Sequence, residues 1–402
     1  MASGDSAAFG RRVAFYRKKR GYSQRELAAM IDRSETWLSQ VERGVRKIDR
    51  MSVLERLAEA LDVPLAELAP EQNVVAASSE TPQAATTLSL ALSSSEALGA
   101  VLSESVPVDL ARLDARSARA WDFVHGSRYE ELSELLVELL PDLERAERHT
   151  DAEDHRRASV AKARAYHAAA AVLSKLGETA AAWVAVDRAI RAAEEAGDPL
   201  LMAEGAFRLS IVFQNARRFD LAMRAAGSAA EAVSGLVAQG DEAAVAMQGA
   251  LHLQLAVAAA RRNDADAAYG HLETARRAGT RLGEDRNDYD TEFGPTNVLL
   301  HEVAVAVELG DAGRALRVAA DVDAARLSPE RQARLLIDVA QAHAQLRQSE
   351  AVVTALREAM RIAPEQIESH SRVRELVADL LRGDRRGSSD VKELASRLKI
   401  AS

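Results

Sequence analysis

Apolar residues recur at helical spacing along nearly the whole chain, and the breaks between them are as informative as the runs. Phe9, Val13 and Tyr16 share one face of a helix predicted from Ala7 to Arg20, which Gly21 ends. Ser23-Gln24-Arg25-Glu26 then has the capping-box spacing, with the serine hydroxyl taking the Glu26 amide while the glutamate reaches back. This predicts a second helix through Leu27, Ala28 and Ile31. Asp32-Arg33-Ser34 makes a turn, Ser34 caps a third helix over Glu35–Arg43 with Trp37, Leu38 and Val41 facing inward, and Gly44 closes it. Two short helices joined by a three-residue turn form the unit that lets the second enter a DNA major groove. Leu54, Leu57, Ala58 and Leu61 predict a fourth helix, and Pro64–Leu68 a short fifth.

Between Pro70 and about Ser95 charge almost disappears and no usable period survives, which reads as a linker. The expected organisation is an N-terminal domain over 1–70, a linker over 71–108, a helical repeat domain over 109–383 and a tail with a short helix over 384–402. In the repeat region, turns align at Gly177, Arg217, Asn263, Gly310 and Arg347, with spacings of 40, 46, 47 and 37 residues. Small residues recur around each turn. Seven positions before stand Ala170, Ser210, Ala256, Val303 and Ala340, five after stand Ala182, Ala222, Ala268, Ala315 and Val352, and twelve after stand Ala189, Ala229, Ala275, Val322 and Ala359. Small side chains at fixed offsets let antiparallel helices approach closely. An earlier, degenerate pair is expected over 112–148 and a further helix over 364–382.

Composition narrows this picture. The chain has 402 residues, 48% of them hydrophobic but 4% aromatic, which favours helices packed through Ala and Leu and predicts an all-α protein of at least two folding units. The absence of cysteine removes disulfides, thiolate metal sites and a cysteine nucleophile. The net charge of −9 is uneven: residues 1–70 carry 13 Lys/Arg against 10 Asp/Glu, whereas the rest carries 39 against 51. A basic head on an acidic body is expected when only the head meets phosphate. The short polar start has no charged-then-apolar leader, and no apolar run reaches the ~18 residues of a membrane span, so a cytoplasmic protein is expected.

Three ordered motifs, Tyr22-Ser23-Gln24-Arg25-Glu26-Leu27-Ala28, Leu38-Ser39-Gln40-Val41-Glu42-Arg43-Gly44 and Leu57-Ala58-Glu59-Ala60-Leu61-Asp62-Val63, resemble the Xre-type, lambda-repressor-like helix-turn-helix family over residues 9–69. The resemblance implies that Gln24 bonds a DNA phosphate, that Glu35, Thr36 and Gln40 face the groove, and that Ser39 and Arg43 lie nearer the backbone. It also implies a structural pair between Arg17 and Glu42. Arg17 and Lys18 of the basic run Arg17-Lys18-Lys19-Arg20, with Arg33, Ser34, Arg46 and Lys47, complete the candidate double-stranded DNA contacts. A carboxylate at Glu35 either accepts from a cytosine amino group or favours the helix N-terminus through its dipole. Trp37 is read as core.

The body resembles tetratricopeptide repeats, with periods longer than the usual ~34 residues. That resemblance implies an all-α solenoid whose concave face comes from the first helix of each pair. The candidate effector groove comprises Arg208, Gln214, Asn215, Gln254, Arg261, Phe293, Asn297, His301, Arg334 and Gln341, read as exposed positions suited to a peptide, small molecule or protein effector. Glu284–Thr296 is read as a loop over the groove mouth in which Phe293 and Asn297 touch the ligand; the glycine and glutamate of an EF-hand are missing from it. Its Phe-Gly-Pro-Thr-Asn run is similar to segments in actinobacterial regulators that join this helix-turn-helix to such repeats. No catalytic motif is found, nine histidines are scattered, and neither cofactor nor metal is implied. The expected function is a sequence-specific transcriptional regulator, not an enzyme, acting as a homodimer because tight operator binding uses two half-sites. The alternative is a repeat scaffold or antitoxin-like partner tethered to DNA.

Overall fold

The computed structural model describes residues 3–31, 33–45, 48, 51–61, 63, 68, 82–92, 109–149, 152–383 and 388–400. It is all-α: among these residues the sole β feature is an isolated bridge between Arg286 and Phe293. The chain divides into two compact units, 1–80 and 81–402.

The first unit holds α1 (Ser3–Lys19), α2 (Gln24–Met30), α3 (Glu35–Glu42) and α4 (Met51–Leu61). Its core is Val13, Leu27, Ile31, Leu38, Val41, Leu54, Leu57 and Leu61, with Phe9, Tyr16 and Trp37 packed around it. Gly10 sets the distance between α1 and α3, because a Cβ there would lie 2.4 Å from the Val41 carbonyl oxygen. Arg12 donates to the Leu68 carbonyl and Arg20 to the Leu61 carbonyl at the end of α4, so two basic residues are engaged by backbone inside the unit. Apart from Leu68, the expected fifth helix lies outside the described residues.

The second unit opens with α5 (Gln83–Ala91), inside the stretch read as a linker. Ala84, Ala85, Leu88 and Ala91 are buried with the first repeat helices. The reading failed there because a short helix buried through alanines needs no charged face to betray it. Six antiparallel pairs follow: Leu110–His125 with Tyr129–His149, Ala152–Lys175 with Thr179–Ala196, Pro199–Asn215 with Phe219–Ala232, Glu242–Arg261 with Ala265–Leu282, Pro295–Glu308 with Ala312–Ala320, and Pro329–Gln345 with Ser349–Ile362. Each pair turns through one left-handed residue: Ser127, Gly177, Arg217, Asn263, Gly310 or Arg347. In all six, the next amide donates to the carbonyl five residues back, as Glu178 does to Leu173 and Gln348 to His343. This is the Schellman closure, which satisfies orphan carbonyls at a helix end. Ala182, Ala222, Ala268 and Ala315 are fully buried where the paired helices meet, as are Ala170, Ser210, Ala256, Val303 and Ala340.

One helix corrects an expectation: Glu242–Arg261 is long and apolar enough to cross a membrane, and 83% of that window is buried within the fold. Pro364–Ser369, Ser371–Gly383 and Ser389–Arg397 end the unit.

The repeat curls until its ends meet. The Ser127 hydroxyl donates to Gln366, and the amides of Tyr129 and Glu130 donate to Glu365 at 2.7 and 3.0 Å. Lys175 of the second pair is ion-paired with Glu330 of the sixth. Carboxylates at the N-terminal amides of Tyr129–His149 also complement the dipole of that helix.

Candidate nucleic-acid interface and inner polar face

Local sequence chemistry fixes the head. Ser23 accepts from the Glu26 amide while the Ser23 amide donates to the Glu26 carboxylate at 2.7 Å, and the Ser23 backbone first, then its hydroxyl, hold that carboxylate below its ordinary pKa. Ser34 caps α3 by accepting from the Trp37 amide at 3.1 Å. Leu38 and Val41 anchor the inner side of α3, which leaves Glu35, Thr36 and Arg43 exposed and Ser39 and Gln40 half-buried on the other side. Trp37 is half-buried against the core with Arg33 5.7 Å over its ring.

A buried fork fastens α1 to α3. Arg17 donates to Glu42 through Nε at 2.6 Å and Nη2 at 3.0 Å, and through Nη1 to the Tyr22 carbonyl. The glutamate hydrogen bond raises the Arg17 pKa above its ordinary value. Arg17 is therefore withdrawn from the candidate phosphate contacts: its guanidinium is buried and spent inside the unit. Gln24 donates at 2.6 Å to Glu42 Oε2, the oxygen that also takes Arg17 Nη2, which orients its amide at the start of α2. Of the basic run, Lys18 stands exposed; Arg46 and Lys47 lie outside the described residues.

An outward α3 following a capped α2 through a short turn defines the helix-turn-helix class of domain. The comparisons agree: residues 8–70 match the family model described as a helix-turn-helix domain. The chain is 39% identical over 59 residues to the HTH-type transcriptional regulator SlrR of Bacillus subtilis (strain 168), a segment covering 15% of this chain and 39% of that protein. Among solved structures, Bacillus thuringiensis PlcR in complex with the peptide PapR7 and DNA aligns over 92% of this chain and 99% of that one, at 14% identity and a TM-score of 0.25. A superposition that loose carries no argument.

In the body, the first helices of the pairs do line up polar residues on one inner face, but the exposure expected of them is wrong. Arg208, Gln214, Gln254, Asn297 and His301 are buried, and Arg261, Arg334 and Gln341 are half-buried. Several of them bind one another across the pairs. Gln214 donates to Gln254 at 3.0 Å, Arg261 donates to Gln214 and pairs with Glu308 at 3.1 Å, and Arg372 donates to Gln341. Asn215, at the edge, donates to the Ser174 carbonyl. The physical reason is the closing of the curl, which turns a concave surface into an interior.

The loop after Leu282 is built into this interior. Phe293 is fully buried against Gly249, where a Cβ would come 2.0 Å from its ring. Asn297 donates to the Glu292 carbonyl at 2.7 Å. Arg164 pairs with Asp290 at 3.3 Å, Arg208 donates to the Asp290 carbonyl, and Arg331 donates to the Thr291 carbonyl and pairs with Glu292. Phe293 and the Asn297 Nδ2 thus hold the loop in place, and Phe293, read as a ligand contact, is closed off in the core.

Burial sets the ionisation of this face. It pushes His167 down to about 3 and His370 and His252 to about 4, and His301 well below its ordinary value, with neighbouring arginines adding to the effect at His167, His370 and His301. The unfolded chain takes up these protons near pH 6.5 and the folded chain only at much lower pH, so the stability they contribute is present above 6.5 and lost as pH falls below it. Burial acts oppositely on Glu204, raised to about 8, and Asp338, raised to about 6, with smaller rises at Asp290 and Glu365. Glu204 opposes the histidines through the whole window and Asp338 below about pH 6, and the four histidines outnumber these two carboxyls. The expected result is a thermal midpoint of the body that falls between pH 6.5 and 4.5; a midpoint that rises on acidification contradicts it.

Proposed function

We propose that the chain is a sequence-specific DNA-binding transcriptional regulator of the Xre type, with an effector-responsive, tetratricopeptide-like body of the kind found in actinobacterial regulators. The observation that carries it is the helix-turn-helix domain at residues 8–70 with the polar side of α3 turned outward. Thr36 and Gln40 read base edges, Glu35 accepts from cytosine or sets the helix end, and Ser39, Arg43, Arg33, Ser34 and Lys18 contact the backbone. Arg46 and Lys47 extend that contact. Gln24 keeps one amide N–H uncommitted beyond Glu42 and gives it to a phosphate. One such head makes a small contact, so two copies engage paired half-sites as a homodimer. The inner polar face of the body receives the effector and alters the spacing of the heads.

Selection of binding sites from random duplexes, followed by fluorescence anisotropy, tests this reading. Gln40→Ala is expected to weaken the selected site by about ten- to a hundredfold and relax one base position, as loss of a bidentate contact does. Lys18→Ala is expected to weaken all sequences alike and lower the salt slope by about one. Absence of salt-sensitive DNA affinity in the intact protein overturns the proposal.

A further inference from the structure

Among the described residues the inner face is a set of matched charges with two exceptions, Arg334 and Asp338, one turn apart on Pro329–Gln345. Arg208 lies on Glu204, Arg261 and Arg372 share Glu308, Lys175 holds Glu330 and Arg331 holds Glu292. Arg334, one turn beyond Arg331 and on the same stripe as Glu330 and Asp338, has neither a carboxylate within ion-pair distance nor a hydrogen bond. It is half-buried, so solvent reaches it even though burial lowers its pKa. A guanidinium offers five donors in a planar fork, and a protein interior rarely leaves all of them idle.

The unpartnered groups beside it are acceptors. His301 Nδ1 lies 2.9 Å from the Asn297 carbonyl, which can only accept, so the proton sits on Nδ1 and the buried Nε2 presents a lone pair without a partner. Asn297 spends its Nδ2 on the Glu292 carbonyl, which fixes the amide and leaves Oδ1 unpartnered. Asp338 Oδ2 is likewise buried and unpartnered. The helix that carries Arg334 and Asp338 packs directly on Pro295–Glu308, which carries Asn297 and His301.

We infer that this part of the inner face binds a carboxylate ligand that also carries N–H or O–H donors, the carboxylate on the Arg334 fork and the donors on His301 Nε2, Asn297 Oδ1 and Asp338. The chain shows the recognition mode one turn away, where Arg331 takes the Thr291 carbonyl and the Glu292 carboxylate of the loop. A single uncommitted cation among neighbouring carboxylates suits a monoanion; a phosphate dianion would meet Glu330 and Asp338 without a second free charge to offset them. A free amino acid and the C-terminus of a short peptide both present this chemistry. The inference rests on the proposed effector role of the inner face.

The test uses the full chain and four probes: a pool of free-acid tetrapeptides, the same pool with amidated C-termini, a mixture of the standard amino acids, and inorganic phosphate. Thermal unfolding and titration calorimetry are the readouts. A rise in midpoint with the free-acid pool assigns the site to peptide termini, and a rise with the amino-acid mixture alone assigns it to a free amino acid. Arg334→Gln is expected to weaken the active probe at least tenfold, and Arg334→Lys, which keeps the charge and the fold but loses the fork, by several-fold. Equal binding of the amidated pool, equal binding of phosphate, unchanged affinity in both variants, or no binding of any carboxylate probe at millimolar concentration overturns the inference. DNA affinity measured on the same preparations without probes reports separately on the regulator reading, so the two can fail independently.

Discussion

Glu42→Ala is expected to loosen the whole N-terminal unit while leaving the helical pairs intact. The substitution strands the Arg17 guanidinium, which is buried and has Glu42 as its charge partner. Removing one member of a buried ion pair costs about 3 to 5 kcal/mol, more than the pair contributes over an apolar replacement, because the other charge stays desolvated. Gln24 loses its anchor at the same time, so the start of α2 and the seating of α3 fail together. Hydrogen exchange read by mass spectrometry should show faster exchange in peptides covering 9–61 and unchanged exchange beyond 152, with DNA affinity falling in parallel. Protection that survives in α1 and α3 would show that the fork is dispensable. Arg17→Met with Glu42→Leu, which removes both charges and keeps volume, is expected to recover most of the loss.

Phe293→Ala is the second large effect, and it falls on the other unit. The ring is fully buried on Gly249 and joins the loop to the core of the third and fourth pairs. Truncating a buried phenylalanine costs about 3 to 5 kcal/mol through lost burial and the cavity left behind. For a unit of this size that lowers the midpoint by about 4 to 7 °C. The loop also carries left-handed backbone at Tyr289, Asp290 and Glu292, conformations that persist only while their surroundings hold them. Limited trypsin digestion should therefore cut first at Arg286 in the variant and spare that site in the parent. Phe293→Leu, which refills much of the space, is expected to lie between the two.

Much of the architecture was readable in the sequence because it is written locally. The capping residues Ser23 and Ser34 and the turn residues Gly177, Arg217, Asn263, Gly310 and Arg347 each act within a few positions of themselves, and all of them do in the structure what their spacing implied. The Arg17–Glu42 pair came from the resemblance, and its cost came with it, since a residue spent on Glu42 cannot also serve a phosphate. What stayed hidden depends on distance along the chain. Ser127 and Gln366 are separated by 239 positions, and no period in between says that they touch. Without that contact the inner polar residues look solvated; with it they become an interior, and their amides and arginines must satisfy one another. The helix at Gln83–Ala91 escaped for a simpler reason, namely that alanine, serine and threonine spell a linker as readily as a buried helix.

The meeting of the first and sixth pairs also constrains how such a chain can change over time. An open stack of helical hairpins can gain or lose a module at little cost, because each contacts only its neighbours. Here Glu365 finishes the amides of Tyr129 and Glu130, and Lys175 spans to Glu330, so duplicating or deleting one hairpin would carry these partners past each other. The number of hairpins is thus counted by geometry rather than left to drift.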